Sequence, residues 1–307
     1  MKLPFRVNDI LLVFVVLSSM IVGIVYPDFG AYFQAMPMYC LMALFFLSYL
    51  SIELDAVRKA LQHHHRKILT FILLKSILLP ILLFFIFDFL APAYALSALL
   101  LTGVSAGVVA PFISNLVRGN SSLVLVVVVI TSFLTPITLP ILIELVAAKQ
   151  MELSLSGMIR MLALVIFVPI LTVEILRHLT PGLLKHLMKK HFPISLVLFA
   201  LINLGVFWRY SSFFKKEPHT IVMASVVAIL LAAIYCIIGI FFFRKSSLEN
   251  QLAGAVMLGN MNNVLVIVFS YEFFGPVETM VAAMYIIPFF SLVIPLRYYR
   301  HLKTKTA

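Results

Sequence analysis

The chain is made almost entirely of apolar stretches about as long as a lipid bilayer is thick. They run over 10–26, 36–53, 68–90, 93–117, 121–147, 153–176, 193–209, 220–243, 251–272 and 276–297. A helix needs roughly 20 such residues to cross a hydrocarbon core of about 30 Å. Lipid offers no partner for backbone polar groups, so runs of this length are expected as helices that close their own hydrogen bonds. The expected fold class is an all-α membrane protein of about ten transmembrane helices. Composition agrees: 63% of residues are hydrophobic and 11% charged, against about a half and about a quarter in soluble domains. Met1 to Pro27 has a basic start but no small-residue cleavage pattern, and its apolar run exceeds that of a signal peptide. It reads as the first helix.

A formal charge of +11 would suggest nucleic acid in a soluble protein. Here the lysines and arginines lie mostly in the short loops between spans, so they report topology and no nucleic-acid partner is expected. One side carries Lys2, Arg6, four residues around 58–67, Arg118, four over 177–190, Arg244, Lys245 and four from Arg297 to Lys305. The other carries only Lys149, Arg160, Arg209, Lys215 and Lys216. Both termini are therefore expected in the cytoplasm, with the chain integral to the inner membrane of a bacterium and the bilayer as its constant partner. Cys40 and Cys236 fall inside spans and read as small buried side chains; no metal or cofactor is expected. His63, His64 and His65 are consecutive in a basic loop, without the spacing of a metal site. Trp208, Arg209 and Tyr210 read as an interfacial anchor.

The most polar interruption near the midpoint, Lys149 to Gly157, separates two halves of five spans, residues 1–150 and 151–307. An odd number of spans per half inverts the second relative to the first. The fourth span of each half carries a polar break, Gly103 to Asn115 and Gly259 to Asn263. The fifth carries two prolines, Pro136 and Pro140 in one half, Pro288 and Pro295 in the other. Inverted repeats with interrupted helices at matching positions mark secondary transporters, whose substrate sites form where broken helices free backbone groups near the midplane.

Three features are candidates for chemistry. Asn260, Asn262 and Asn263 bring three carboxamides to bilayer depth, pointing around most of a helix circumference. Interhelical glue would account for one of them; a cavity or an unwound segment accounts for three. Gly103, Ser105, Gly107 and Pro111 punctuate the fourth span, where close packing of small residues competes with a site built on freed backbone. Lys75 stands eight residues past Lys67, about 12 Å along a helix and close to the midplane. It either snorkels to the surface or meets an anion, and no Asp or Glu shares its depth. Gly103 to Gly107 also fits Gly-x-Ser-x-Gly, so an intramembrane serine hydrolase using Ser105 and Lys75 is the alternative of a different class. That motif belongs between a strand and a helix, and here it lies inside an apolar span, so no catalytic residue is assigned.

Several segments resemble the bile acid:sodium symporter family. Ala110-Pro111 through Arg118-Gly119-Asn120, then Leu123, Thr135-Pro136 and Leu139-Pro140, are similar to its fourth and fifth helices. Leu74-Lys75 to Pro80 resembles the third, and Met261-Asn262-Asn263 with Tyr285 and Pro288 the ninth and tenth. The resemblance implies two inverted five-helix repeats, a core of spans 3 to 5 and 8 to 10 with interrupted, crossed helices 4 and 9, and a panel of spans 1, 2, 6 and 7. Aligned without gaps from Arg118, the family's Ser-Asn pair falls on Ala110-Pro111 and its fifth-helix hydroxyl ligands on Val124 and Val128. Its third-helix Gln falls on Lys75 and its ninth-helix Glu on Leu258. These side chains offer sodium no oxygen. Ser114 and Asn115 restore the first pair, as ion-binding residues, if four residues are deleted before Arg118. The expectation is a secondary transporter of a small organic anion, with Lys75, Ser105, Pro111, Asn260, Asn262 and Asn263 at the substrate. Coupling to a proton or to no ion is favoured, with sodium as the competing case and an auxin-efflux-carrier-type carboxylate exporter as the runner-up.

Overall fold

The computed structural model describes residues 7–50, 52, 66–147 and 154–305. His63, His64, His65, Lys149 and the boundary between residues 150 and 151 lie outside the described residues. Those described fold into helices α1 (Val7–Val25), α2 (Pro37–Tyr49), α3 (Arg66–Leu90), α4 (Ala95–Gly103), α5 (Ala110–Leu116), α6 (Ser121–Ala147) and α7 (Leu155–Leu179). Next come α8 (Pro181–Lys189), α9 (His191–Phe207), α10 (His219–Phe242), α11 (Leu248–Gly259), α12 (Asn263–Phe273), α13 (Pro276–Met284), α14 (Ile286–Ser291) and α15 (Val293–Lys305). Among the described residues six helical runs are long and apolar enough to cross a membrane: Arg66–Leu90, Ser121–Val146, Leu155–Leu179, His191–Lys216, His219–Phe242 and Pro276–Lys305, the last taking in α13 to α15. The apolar stretches at 93–117 and 251–272 are instead each split into two shorter helices.

Large apolar side chains cover the outside, including Phe89 at 87%, Leu145 at 73% and Phe14 at 66% exposure. Such a surface is suited to lipid as solvent. Inside, α1 packs on α9, and α2 packs on both α7 and α9. A second group gathers α3 to α6 with α10 to α15: α10 packs on α11 and α13, α4 on α13, and α6 on α11. The α10–α11 approach depends on glycine. A Cβ on Gly239 would stand 2.2 Å from the Gly254 carbonyl oxygen, and one on Gly254 2.3 Å from that of Gly239. Two helix backbones in contact gain packing that lipid alone would not drive.

The two groups meet where α6 packs on α7 and α12 packs on α2 and α9. Along this seam lies a mostly apolar cavity walled by Phe45, Tyr49, Val108, Val128, Ser132 and Phe133.

Candidate functional site

Both split helices break at the same place in space. α4 ends at Gly103 and α5 begins at Ala110, leaving an extended link through Ser105 and Ala106; α11 ends at Gly259 and α12 begins at Asn263. The two links cross as a single antiparallel bridge between Ala106 and Met261. Gly107 N donates to Asn260 O at 2.7 Å, and Asn262 N donates to Ser105 O at 3.0 Å. Backbone groups that the breaks would leave bare in lipid thus satisfy one another. Gly107 allows this close approach, since a Cβ would sit 3.1 Å from the carbonyl oxygens of both Asn260 and Met261, tighter than an ordinary contact. Pro111 lies in the first turn of α5, where its missing N–H removes no helical bond. The proline therefore starts a second helix rather than kinking a continuous one.

Lys75 is fully buried and does not reach a surface. Its ammonium donates to Val104 O at 2.6 Å and to Thr102 O at 3.4 Å, and contacts the Met261 sulfur at 3.3 Å. These carbonyls belong to the C-terminal end of α4, where the helix dipole concentrates negative charge. The counter-charge of Lys75 is thus a helix end, and its three donors face protein atoms. Lys75 lies on a π-helical turn, Leu74–Leu78, in which Leu79 N bonds to Leu74 O. The cause is local: Pro80 supplies no donor to Ser76 O, and the ladder slips by one residue just upstream.

The three asparagines divide by role. Asn260 Nδ2 donates to Phe289 O at 2.9 Å, which leaves Oδ1 buried with no partner among the described residues. Asn263 Nδ2 donates to Ala282 O at 3.2 Å, tying α12 to α13. Asn262 is half-buried; its Oδ1 accepts from Leu265 N at 3.3 Å and caps α12, while its Nδ2 has no protein partner among the described residues. Ser105 Oγ is also buried without a partner among the described residues and is not bonded to Lys75, the pairing a serine–lysine nucleophile uses.

Other side chains lock the crossing; of these the sequence points to Tyr285 alone, and only as part of the family resemblance. Thr131 Oγ1 on α6 accepts from Ala106 N at 3.2 Å while donating to Val127 O at 2.7 Å. Tyr285 OH donates to Gly259 O at 2.8 Å, capping α11 much as Lys75 caps α4. Thr102 Oγ1 bonds Tyr235 OH at 2.6 Å. Ser114 and Asn115 lie in the last turn of α5, away from the bridge. Ser114 is buried with Oγ unpartnered among the described residues, and Asn115 is exposed and accepts from Ser121 Oγ. Ala110, Val124, Val128 and Leu258 are all fully buried and apolar.

The profile of the sodium bile acid symporter family matches residues 38–217. The chain belongs to that family. The match runs from α2 past α9 and includes Lys75, Ser105, Pro111, Ser114 and Asn115, while the asparagine cluster lies beyond it. No curated relative matches the chain. Family membership and the apolar helices make this member of the sodium bile acid symporter family an integral membrane protein of a transporter family.

Proposed function

We propose that this protein moves a small organic anion across the membrane by alternating access, without the sodium ion for which its family is named. In this reading residues 1–150 and 151–307 are two inverted repeats of five spans each, α4/α5 and α11/α12 are the crossed, interrupted helices, and both termini are cytoplasmic in a bacterial inner membrane. The observation that carries the reading is the ammonium of Lys75 against the carbonyls of Val104 and Thr102 beside the bridge. A bound cation would do the same work of holding the end of α4. The positions that the family resemblance aligns with its sodium ligands, Ala110, Val124, Val128 and Leu258, are buried and offer no side-chain oxygen to a hard metal. Lys75 is a tethered counter-ion, and a proton or nothing is co-transported.

Recognition of the anion falls to what the bridge leaves free: the Asn262 amide nitrogen, the Ser105 hydroxyl, and the N-terminal end of α12, whose dipole is positive. The cavity against Val108 is too narrow as it stands for more than about one water and would have to widen to admit the body of a substrate; its apolar lining favours an anion with a hydrophobic part. The grouping of α1, α2, α7 and α9 apart from the crossing supports motion of one group against the other. The reading is tested by thermal shift of the purified protein over a panel of amphipathic carboxylates and sulfonates, in sodium and in choline buffers. A stabilising anion whose effect is equal in both buffers supports it. Stabilisation only by cationic or neutral compounds counts against it.

A further inference from the structure

α8 is a short helix in the link between two long ones, and its residues sort cleanly by face. At about 100° per residue, Leu183, Leu184, Leu187 and Met188 fall within an arc of about 140°, and Lys185, His186, Lys189 and Lys190 occupy the opposite arc. Leu184 is buried against the protein, whereas Leu183 and Met188 are half exposed and the preceding Leu179 is 71% exposed. A Cβ on Gly182 would meet no atom within 4 Å, so the first turn lies free of the bundle. All four basic side chains are exposed. None forms an ion pair among the described residues, and no Asp or Glu occurs between Glu174 and Glu217. Neither half of this pattern is used by the crossing: the apolar arc extends past the protein, and the positive arc meets no protein anion among the described residues.

We propose that α8 lies in the membrane interface and binds anionic phospholipid headgroups through Lys185, Lys189 and Lys190, with Leu183 and Met188 inserted among the acyl chains. The exposed apolar side chains of Leu179 at the end of α7 and of Leu183 and Met188 on α8 set the depth of the helix, and the lysines then stand at the level of the phosphates. Three ammonium groups with no ion pair among the described residues select a negatively charged leaflet over a zwitterionic one.

The test uses the full-length protein in nanodiscs of phosphatidylcholine with or without phosphatidylglycerol, and native mass spectrometry to count retained lipid. The triple variant Lys185→Gln, Lys189→Gln, Lys190→Gln, with changes only at exposed positions, is compared with the unmodified chain. Expected is preferential retention of phosphatidylglycerol by the unmodified protein, weakened roughly 10- to 100-fold in the variant and abolished near 1 M salt, where the screening length falls to about 3 Å. Leu183→Ser with Met188→Ser should weaken retention of both lipids alike. Equal retention of the two lipids by the unmodified protein, or an unchanged preference in the lysine variant, would overturn the proposal.

Discussion

Lys75 and Val104 are joined by a 2.6 Å hydrogen bond between a buried ammonium and the carbonyl just past the end of a broken helix. The bond turns a charge that is expensive in lipid into the cap of a helix end that lipid could not satisfy. The same ammonium touches Met261 of the other broken helix, so one side chain bears on both sides of the crossing.

Replacing Lys75 with Met should leave the Val104 and Thr102 carbonyls short of a donor, destabilising the protein by about 1–3 kcal/mol. Lys75→Gln keeps a neutral donor and should recover part of that stability, yet transport should still fall by at least about tenfold because the charge-assisted bond is gone. Thermal melts beside initial uptake rates separate the two effects. Sodium-stimulated uptake by Lys75→Gln would show that oxygen ligands for the metal do exist nearby.

Asn262 can be divided into its two functions. Asn262→Ser preserves an N-cap for α12 and removes the amide donors, so the melting temperature should stay near that of the unmodified protein while substrate affinity falls. Asn262→Leu should lose both, with about 1 kcal/mol of stability gone with the cap. Asn263→Leu should act mainly on stability, by about 0.6–2 kcal/mol, because its amide joins helices. Uptake lost equally with Asn263→Leu at unchanged stability would contradict this division.

Gly107→Ala pushes a methyl against the carbonyls of Asn260 and Met261. The bridge should loosen at a cost of about 1–3 kcal/mol, and uptake per folded molecule should drop. Unchanged uptake and melting would show that the close approach at the bridge is dispensable.

Much of this architecture is readable in the residues because the bilayer imposes a length and a polarity on every span. The apolar stretches fall on helices, and the breaks appear where Gly, Ser, Pro and Asn interrupt them. The crossing itself is less readable. Lys75 is visible as a charge at depth, but its partners are backbone carbonyls, which leave no mark on sequence. Thr131 looks like any hydroxyl bonding back to its own helix, as it does to Val127; its second bond, to Ala106, depends on a neighbour set by packing. The asparagines look alike in sequence and differ only in what stands opposite each: Phe289, Ala282 or no protein partner among the described residues.

Orientation is tested by single cysteines in a background with Cys40 and Cys236 replaced by alanine. Cysteines at Lys149 and Lys215 should react with an impermeant reagent added outside, and those at His64 and Lys185 should not. The reverse pattern would invert the topology and place α8 on the outer leaflet.

The central claim is that Lys75 stands in for the metal. Uptake of a stabilising anion into proteoliposomes, with all sodium replaced by choline at fixed pH and membrane voltage, tests it most directly. The account predicts equal initial rates in sodium and in choline. A strict sodium requirement in the unmodified protein would contradict it and would favour an ion site built through Ser114 and Asn115.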